Sequence, residues 1–422
     1  MTSTNSSQTP ATALRSERQS AFSSLRHRDF RLLWTGQVVS VIGSQMQLAA
    51  INWHIYLLTG SALALGMLGA CRAVPIIICS LMGGVVADVA DRRRLMMVTQ
   101  SLMLTCSAIL ALVTFSGLTR VWPIYLLTAI ASAAWAFDTP ARQALLPTLV
   151  PLKDFPNAVS LSMLMFQIGL ITGPPLAGFL LAGHGPGLVY ALNAASFLAV
   201  IIGLVLMRVS GRPEKTDAEP PRIGFQALTE GLRFVWLTPI IVQTMTLDFI
   251  ATFFASANQL LPIYAKDILN VGARGYGFLA AAPAAGAIIA GLVMARLGVI
   301  RKQGVTVIVS VGIYGAATIA FGISRVFWFS LLMMAATGAA DTVSTILRQT
   351  IRQLVTPNNL RGRMTSVNMV FFMGGPQLGE VEAGTVAHFL GAPLSVITGG
   401  AACLIAAVFT FAKARSLRQY EQ

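Results

Sequence analysis

The sequence predicts an all-α membrane protein with twelve transmembrane helices in two pseudo-symmetric six-helix halves. Three observations carry this. Of the 422 residues, 55% are hydrophobic and 11% charged, and the mean hydropathy is +0.70. A soluble domain carries about 25% charged residues, so the chain lacks the polar surface to cover a water-exposed globule. The apolar residues also fall into stretches long enough to cross a bilayer, about 20 residues each. Finally, features of the first half recur in the second at offsets of 202, 207 and 203 residues.

In chain order, residues 1–22 are rich in Ser, Thr and Gln with no apolar run behind the scattered charges, as expected of a disordered tail and not of a signal peptide. Spans are expected near 32–58, 63–87, 95–116, 122–146, 157–181 and 188–207, the first half being 23–207. Residues 208–224 hold most of the internal Pro, Glu and Lys and read as a cytoplasmic linker. The second half, 225–422, carries spans near 237–262, 276–295, 304–323, 327–355, 364–387 and 393–412, then a short cytoplasmic tail.

Charge placement sets the expected orientation. With both termini inside, 25 of the 30 Lys and Arg lie on the cytoplasmic side; only Arg120, Lys266, Arg274 and Arg325 lie outside, and Arg72 sits within a span. The formal charge of +14 is thus spread over topological anchors, without the aromatic-interleaved patch that nucleic acid needs. Cys71, Cys79, Cys106 and Cys403 stand inside apolar runs with no metal-ligand spacing and read as small core residues. His27, His54, His184 and His388 are dispersed, and there is no Gly-x-x-x-x-Gly-Lys phosphate loop. An enzyme, a metal site and direct use of ATP are therefore not expected.

The repeat rests on three matches in order. Trp34 recurs as Trp236. Gly84, four residues before Asp88, recurs as Gly291, four before Ala295. Asp138-Thr139 with Arg142-Gln143 recurs as Asp341-Thr342 with Arg348-Gln349. Two such halves around a midplane cavity form a transporter architecture.

Between the second and third spans stands Gly83-Gly84-Val85-Val86-Ala87-Asp88-Val89-Ala90-Asp91-Arg92-Arg93-Arg94. Gly84 permits close helix approach, and Asp88 can pair with Arg92 or Arg93, latching the inner faces together. The segment resembles the signature loop of the major facilitator superfamily, with Asp91 where a glycine is usual. The fifth span holds Gly169-Leu170-Ile171-Thr172-Gly173-Pro174-Pro175-Leu176-Ala177-Gly178. Its small residues form a packing stripe, and its prolines remove backbone donors. It resembles the Gly-Pro signature of major facilitator antiporters, with Ala177-Gly178 in place of the common Gly-Gly. Asp29-Phe30-Arg31-Leu32-Leu33-Trp34, Pro140-Ala141-Arg142-Gln143-Ala144-Leu145-Leu146-Pro147 and Met373-Gly374-Gly375-Pro376-Gln377-Leu378-Gly379-Glu380 resemble the bacterial enterobactin-exporter-like and macrolide-efflux-like branch, over nearly the whole chain after residue 25. That resemblance implies proton-driven export of a small organic molecule from a bacterial cytoplasm, with no cofactor, and a monomer in the inner membrane.

Charges inside spans are costly in lipid and therefore mark function or pairing. Asp248, about ten residues into span seven, and Asp341, roughly fourteen residues down span ten, are placed near the midplane by the helical rise. With Glu380 they are the proton-coupling candidates, because a carboxylate withdrawn from water can take up and release a proton near neutral pH. Arg348 lies two turns from Asp341 on the same helix face and could hold it as a permanent ion pair. Asp138 and Arg142 have i, i+4 spacing and read as a structural pair. Arg72 could neutralise an acid across the bundle or bind an anionic substrate. Gln37, Gln45, Asn52 and His54 in span one suit a cavity wall. The expected function is proton antiport of drugs, macrolides or siderophores across the lipid bilayer. The alternatives are proton-symport or facilitated uptake of a nutrient, and a non-transporting membrane sensor.

Overall fold

The computed structural model describes residues 22–212, 233–255, 257–298, 300–357 and 360–421. Of the expected tail only Phe22 is included, and the linker from 213 onward lies outside the described residues. Among the described residues are twelve helices of 16 residues or more and no strand. These are α1 Arg28–Thr59, α2 Ala62–Val89, α3 Arg92–Phe115, α4 Val121–Leu149, α5 Phe155–His184, α6 Pro186–Leu206, α7 Pro239–Phe254, α8 Gly272–Leu297, α9 Gln303–Ile323, α10 Phe327–Val355, α11 Arg361–Leu390 and α12 Ala392–Lys413. Ten segments are long and apolar enough to cross a membrane, and the protein is a multi-pass membrane protein. Outside the ten are α11 and α1, the latter carrying Gln37, Gln45, Gln47, Asn52 and His54.

Local chemistry explains the helix ends. Gly60, at φ +58°, closes α1 in the left-handed region that favours glycine, and the Ser61 side chain then accepts from the Ala64 N–H to open α2. Asp91 opens α3 by accepting from the Arg94 N–H, which gives this departure from the usual loop glycine a capping role. The seventh helix stops at Phe254, short of the expected 262. The chain continues as a 3-10 turn, Ala257–Leu260, and a π-turn, Tyr264–Ile268. Between them Leu261–Ile263 make a single α-turn, with Pro262 in its first positions where the missing N–H costs nothing. Gln259 turns inward to the Leu65 carbonyl.

Side by side, the first six helices pack in the order α5, α1, α6, α3, α4, α2, and the second six in the order α11, α7, α12, α9, α10, α8. Adding six to each number of the first order gives the second. The halves meet along α2–α11 and α5–α8, two seams that the same operation exchanges. An even number of helices leaves both chain ends on one face, here the terminal face; the opposite face is the far face. Helices α4 and α10 have the same length, 29 residues, so position by position Arg142 matches Arg348 and Trp135 matches Asp341. This corrects the repeat read from sequence, which set Asp138 against Asp341.

The apolar core is divided unevenly between the two faces. Toward the far face one cluster is shared by both halves, with Ala49, Trp53, Leu65 and Ala177 against Leu260, Tyr276, Leu279 and Ala383. Toward the terminal face are two separate clusters. Phe30, Met96, Leu145 and Leu204 belong to the first half only, and Ile241, Val307, Ile351 and Leu417 to the second only. The halves are thus joined at the far face and parted at the terminal face.

On the terminal face His27 Nε2 lies 2.9 Å from Asp154 Oδ2, tying the start of α1 to the α4–α5 loop. The hydrogen bond from His27 holds the Asp154 carboxyl below the usual carboxylate range. A depressed carboxylate adds stability above its unfolded value of about 3.9 and loses it as pH falls through the folded value. Asp154→Asn is therefore expected to lower the thermal midpoint in detergent at pH 6, with the gap to the parent closing below about pH 4. A gap that stays constant with pH would assign the effect to packing.

Candidate functional site

The face of α10 opposite lipid builds the site. At 3.6 residues per turn, Met334, Thr337, Asp341, Thr345, Arg348 and Arg352 fall on one stripe. Leu332, 61% exposed, lies half a turn from Asp341, with Ile346 and Trp328 beside it. That apolar side suits hydrocarbon, so the exposed side chain of Asp341, at 51%, opens into the space between the halves.

Arg348 is 1% exposed and stands between two acids on different helices. Its Nη2 lies 2.7 Å from Asp248 Oδ1 on α7 and 3.9 Å from Asp341 Oδ1, and it donates to the Thr345 hydroxyl at 3.0 Å. Arg352, one turn on, donates to the Arg348 carbonyl at 3.2 Å and to the Asn368 side-chain oxygen. A guanidinium buried among apolar helices is tolerated when charge and hydrogen bonds are supplied together, and Asp248 supplies both. Arg348 therefore pairs more closely with Asp248 than with Asp341.

In the first half Asp138 and Arg142 do not form the expected pair. Asp138, 2% exposed, accepts from Thr99 Oγ1 and Gln100 Nε2 of α3, each at 2.9 Å, while Arg142 reaches Gln37 Oε1 on α1 at 2.9 Å. Pro140 lies between the two and Asp138 turns toward α3, so the i, i+4 spacing is not used. Arg142 and Arg348, counted from sequence as topological anchors, face the interior of their halves instead.

Gln37, Gln45, Asn52 and Arg72, the substrate-site candidates, do not converge. Gln37 is buried under Arg142, and Gln45 packs on Gly173 of α5. Asn52 accepts from Gln259 at 3.4 Å at the far end, and Arg72 is ion-paired across the halves with Glu380. That pair separates Glu380 from Asp248 and Asp341. Around it, Tyr56 donates to Asp267, Tyr276 donates to the Ala49 carbonyl at 3.1 Å, and Trp53 stacks on Tyr276 at 5.3 Å.

Of the inner latch, the Gly84 and Asp88 side-chain positions lie outside the described residues. Arg92 donates to the carbonyls of Ala87 and Ala144, and Arg93 to that of Val205. The carbonyls of Ala87 and Val205 belong to the last turns of α2 and α6, where cations are favoured; that of Ala144 lies one turn further inside α4, and all three lie in the first half. The Gly-Pro stripe serves two partners: Gly169 and Gly173 pack α5 on α1, and Gly178 faces Ala273 and Gly277 of α8 across the seam. Helix α5 runs through Pro174 and Pro175 without interruption.

Sequence reasoning passed over Trp135, Gln259, Asp267 and Arg352. For Trp135 a signal was present: it precedes Arg142 by the same seven residues that separate Asp341 from Arg348.

Twelve helices in two exchanged halves, joined at one face around an interior charge cluster, define a transporter of the major facilitator class. A family model described as transmembrane secretion effector matches residues 19–422, and the chain belongs to that family. It is 26% identical over 406 residues to the enterobactin exporter EntS of Salmonella choleraesuis (strain SC-B67), covering 94% of each chain. To the protein of that name from Escherichia coli O1:K1 / APEC it is 24% identical over 405 residues, again covering 94% of each. Among solved structures it is similar in fold to a bacterial homologue of the human lysosomal transporter Spinster in an inward-facing, unoccupied conformation. That match has a TM-score of 0.74 and 15% identity, covering 93% of this chain and 98% of the other.

Proposed function

We propose that the protein is a proton-coupled exporter of small amphipathic organic molecules, such as siderophores, macrolides or other drugs, acting as an alternating-access antiporter in the bacterial inner membrane. The observation that carries this reading is Arg348 shared between Asp248 at 2.7 Å and Asp341 at 3.9 Å. Asp248 is the fixed counter-charge. Asp341 has the looser hold and the open side chain, so it takes the proton and gives it up when substrate enters. No cofactor is needed, and the proton gradient supplies the energy.

With both termini cytoplasmic, the parted face is the cytoplasmic one and the protein stands ready to load. Residues 23–207 and 225–422 rock as two bodies on the linker 208–224. Gly84, Asp88, Arg92 and Arg93 close the cytoplasmic face when the Arg72–Glu380 seam opens. The relatives named enterobactin exporters support the export direction and favour siderophores among the substrates.

The test is substrate-triggered proton release from the purified protein in weakly buffered detergent, titrated with siderophores, macrolides and lipophilic cations. One ligand class is expected to release protons, and Asp341→Asn to abolish the release while binding persists. Binding by the parent protein with no proton release would move the reading to facilitated diffusion or sensing. Release that survives both Asp341→Asn and Asp248→Asn would remove these acids from the coupling site.

A further inference from the structure

The matching positions of α4 and α10 are occupied by different chemistry. Where α10 carries Asp341, α4 carries Trp135; where α10 carries Arg348 with a carboxylate at 2.7 Å, α4 carries Arg142 with no carboxylate within 4.0 Å among the described residues. Trp135 is 37% exposed and lies on the same face of α4 as Arg142. Trp122 and Leu126, the exposed apolar residues of α4, lie about half a turn away, on the side that meets lipid. Trp135 therefore offers its ring to the space between the halves, near the middle of the helix, with the guanidinium two turns toward the terminal face.

Unused donors lie beside that guanidinium, on Gln37, and one turn before it along α4, on Thr139. Arg142 spends one N–H on Gln37 Oε1. The Gln37 Nε2 group, in a residue 3% exposed, has no partner, and neither has the buried Thr139 hydroxyl. A positive charge and two polar groups lacking acceptors, inside a membrane-spanning bundle, are a costly arrangement unless an acceptor arrives. What arrives must be rich in acceptors and negatively charged, and must present a flat face about two helical turns, roughly 10 Å, away.

We propose that Trp135 and Arg142 form a substrate subsite for a planar aromatic ring carrying an anionic group, the ring on Trp135 and the anion on Arg142. This deepens the export reading by naming a substrate class for the same cavity, and it assigns the two halves separate tasks. The second half handles the proton; the first half selects the cargo.

The probe is 1-naphthoate, measured by equilibrium dialysis against the purified full chain in detergent, beside neutral 1-naphthalenemethanol and cationic 1-naphthylmethylammonium. The parent protein is expected to bind the anion most tightly. Arg142→Gln should weaken 1-naphthoate roughly ten- to a hundredfold, as loss of a charge-assisted contact implies, and leave the alcohol nearly unchanged. Trp135→Leu should weaken both by roughly three- to tenfold, and Trp135→Phe should restore most of that. Arg142→Lys should retain part of the anion preference, which also shows that the site tolerates change at 142 without unfolding. Equal affinity for the three probes, or 1-naphthoate binding unchanged in Arg142→Gln, overturns the subsite. Binding of 1-naphthoate that survives Asp341→Asn while proton release is lost keeps this subsite separate from the coupling reaction, so each can fail without the other.

Discussion

Arg348→Ala is expected to be the most damaging single substitution in the second half, costing about 3–5 kcal/mol of stability and all coupled transport. Removing one member of a buried ion pair leaves the other without compensation, and that loss sets the magnitude. Asp248 has a side chain 11% exposed, with Arg348 as its cation at 2.7 Å. The effect should be non-additive: Asp248→Asn combined with Arg348→Gln should recover most of the stability of either single variant, because no charge is then stranded. Arg348→Lys should fall between, since it keeps a positive charge beside Asp248 but its shorter side chain cannot place the nitrogen where Nη2 meets both Asp248 and Thr345. Thermal unfolding in detergent of the four proteins completes the cycle. Losses that add would deny the coupling between α7 and α10.

The second large effect is expected at the α2–α11 seam. A methyl placed on Gly384 would stand 2.5 Å from the Gly66 Cα, and one placed on Gly66 would stand 3.0 Å from the Gly384 Cα. The neighbours are backbone and cannot swing aside, so Gly384→Val should cost about 1–3 kcal/mol, as overpacking does. If the halves alternate as proposed, this crossing exists only while the far face is closed, so the cost falls on one conformation and should move the balance roughly five- to a hundredfold toward the other. Alkylation of Leu65→Cys, buried in the shared core, by a membrane-impermeant maleimide reports the shift on a background without the native cysteines. The rate should rise severalfold in Gly384→Val. Gly286→Val is the control: its methyl meets the Ala335 carbonyl wholly within the second half, so it should destabilise without exposing residue 65. If both variants raise the rate equally, the seam is not specific to one conformation.

What could be read from sequence, and what could not, follows from the number of helices each feature involves. The helix count and helix limits were legible because hydrocarbon length is a property of one segment, and most helices begin and end within a few residues of the apolar stretches. The early stop of α7 was not legible, because Gln259 is one amide in an otherwise apolar run and the carbonyl it meets, that of Leu65, belongs to the other half. Pairing was the least legible. The Asp138–Arg142 spacing looked sufficient because both residues lie on one helix, yet Thr99, Gln100 and Gln37 come from two others. Arg72 and Glu380 were each conspicuous as charges in a span, but only the crossing of α2 and α11 makes them one ion pair. The same holds for Asp248 and Arg348, whose meeting depends on how α7 and α10 are turned about their axes.

The division of the core into one shared and two private clusters bears on what would happen if the peptide backbone were cut. The pieces 1–212 and 233–422 would each keep a private apolar cluster near the terminal face, and the common cluster at the far face would still hold them together like the pin of a hinge. Co-produced as separate polypeptides, they should copurify and bind the same ligands. The tether between them then sets their stoichiometry and order of synthesis, while the greasy pin sets their geometry.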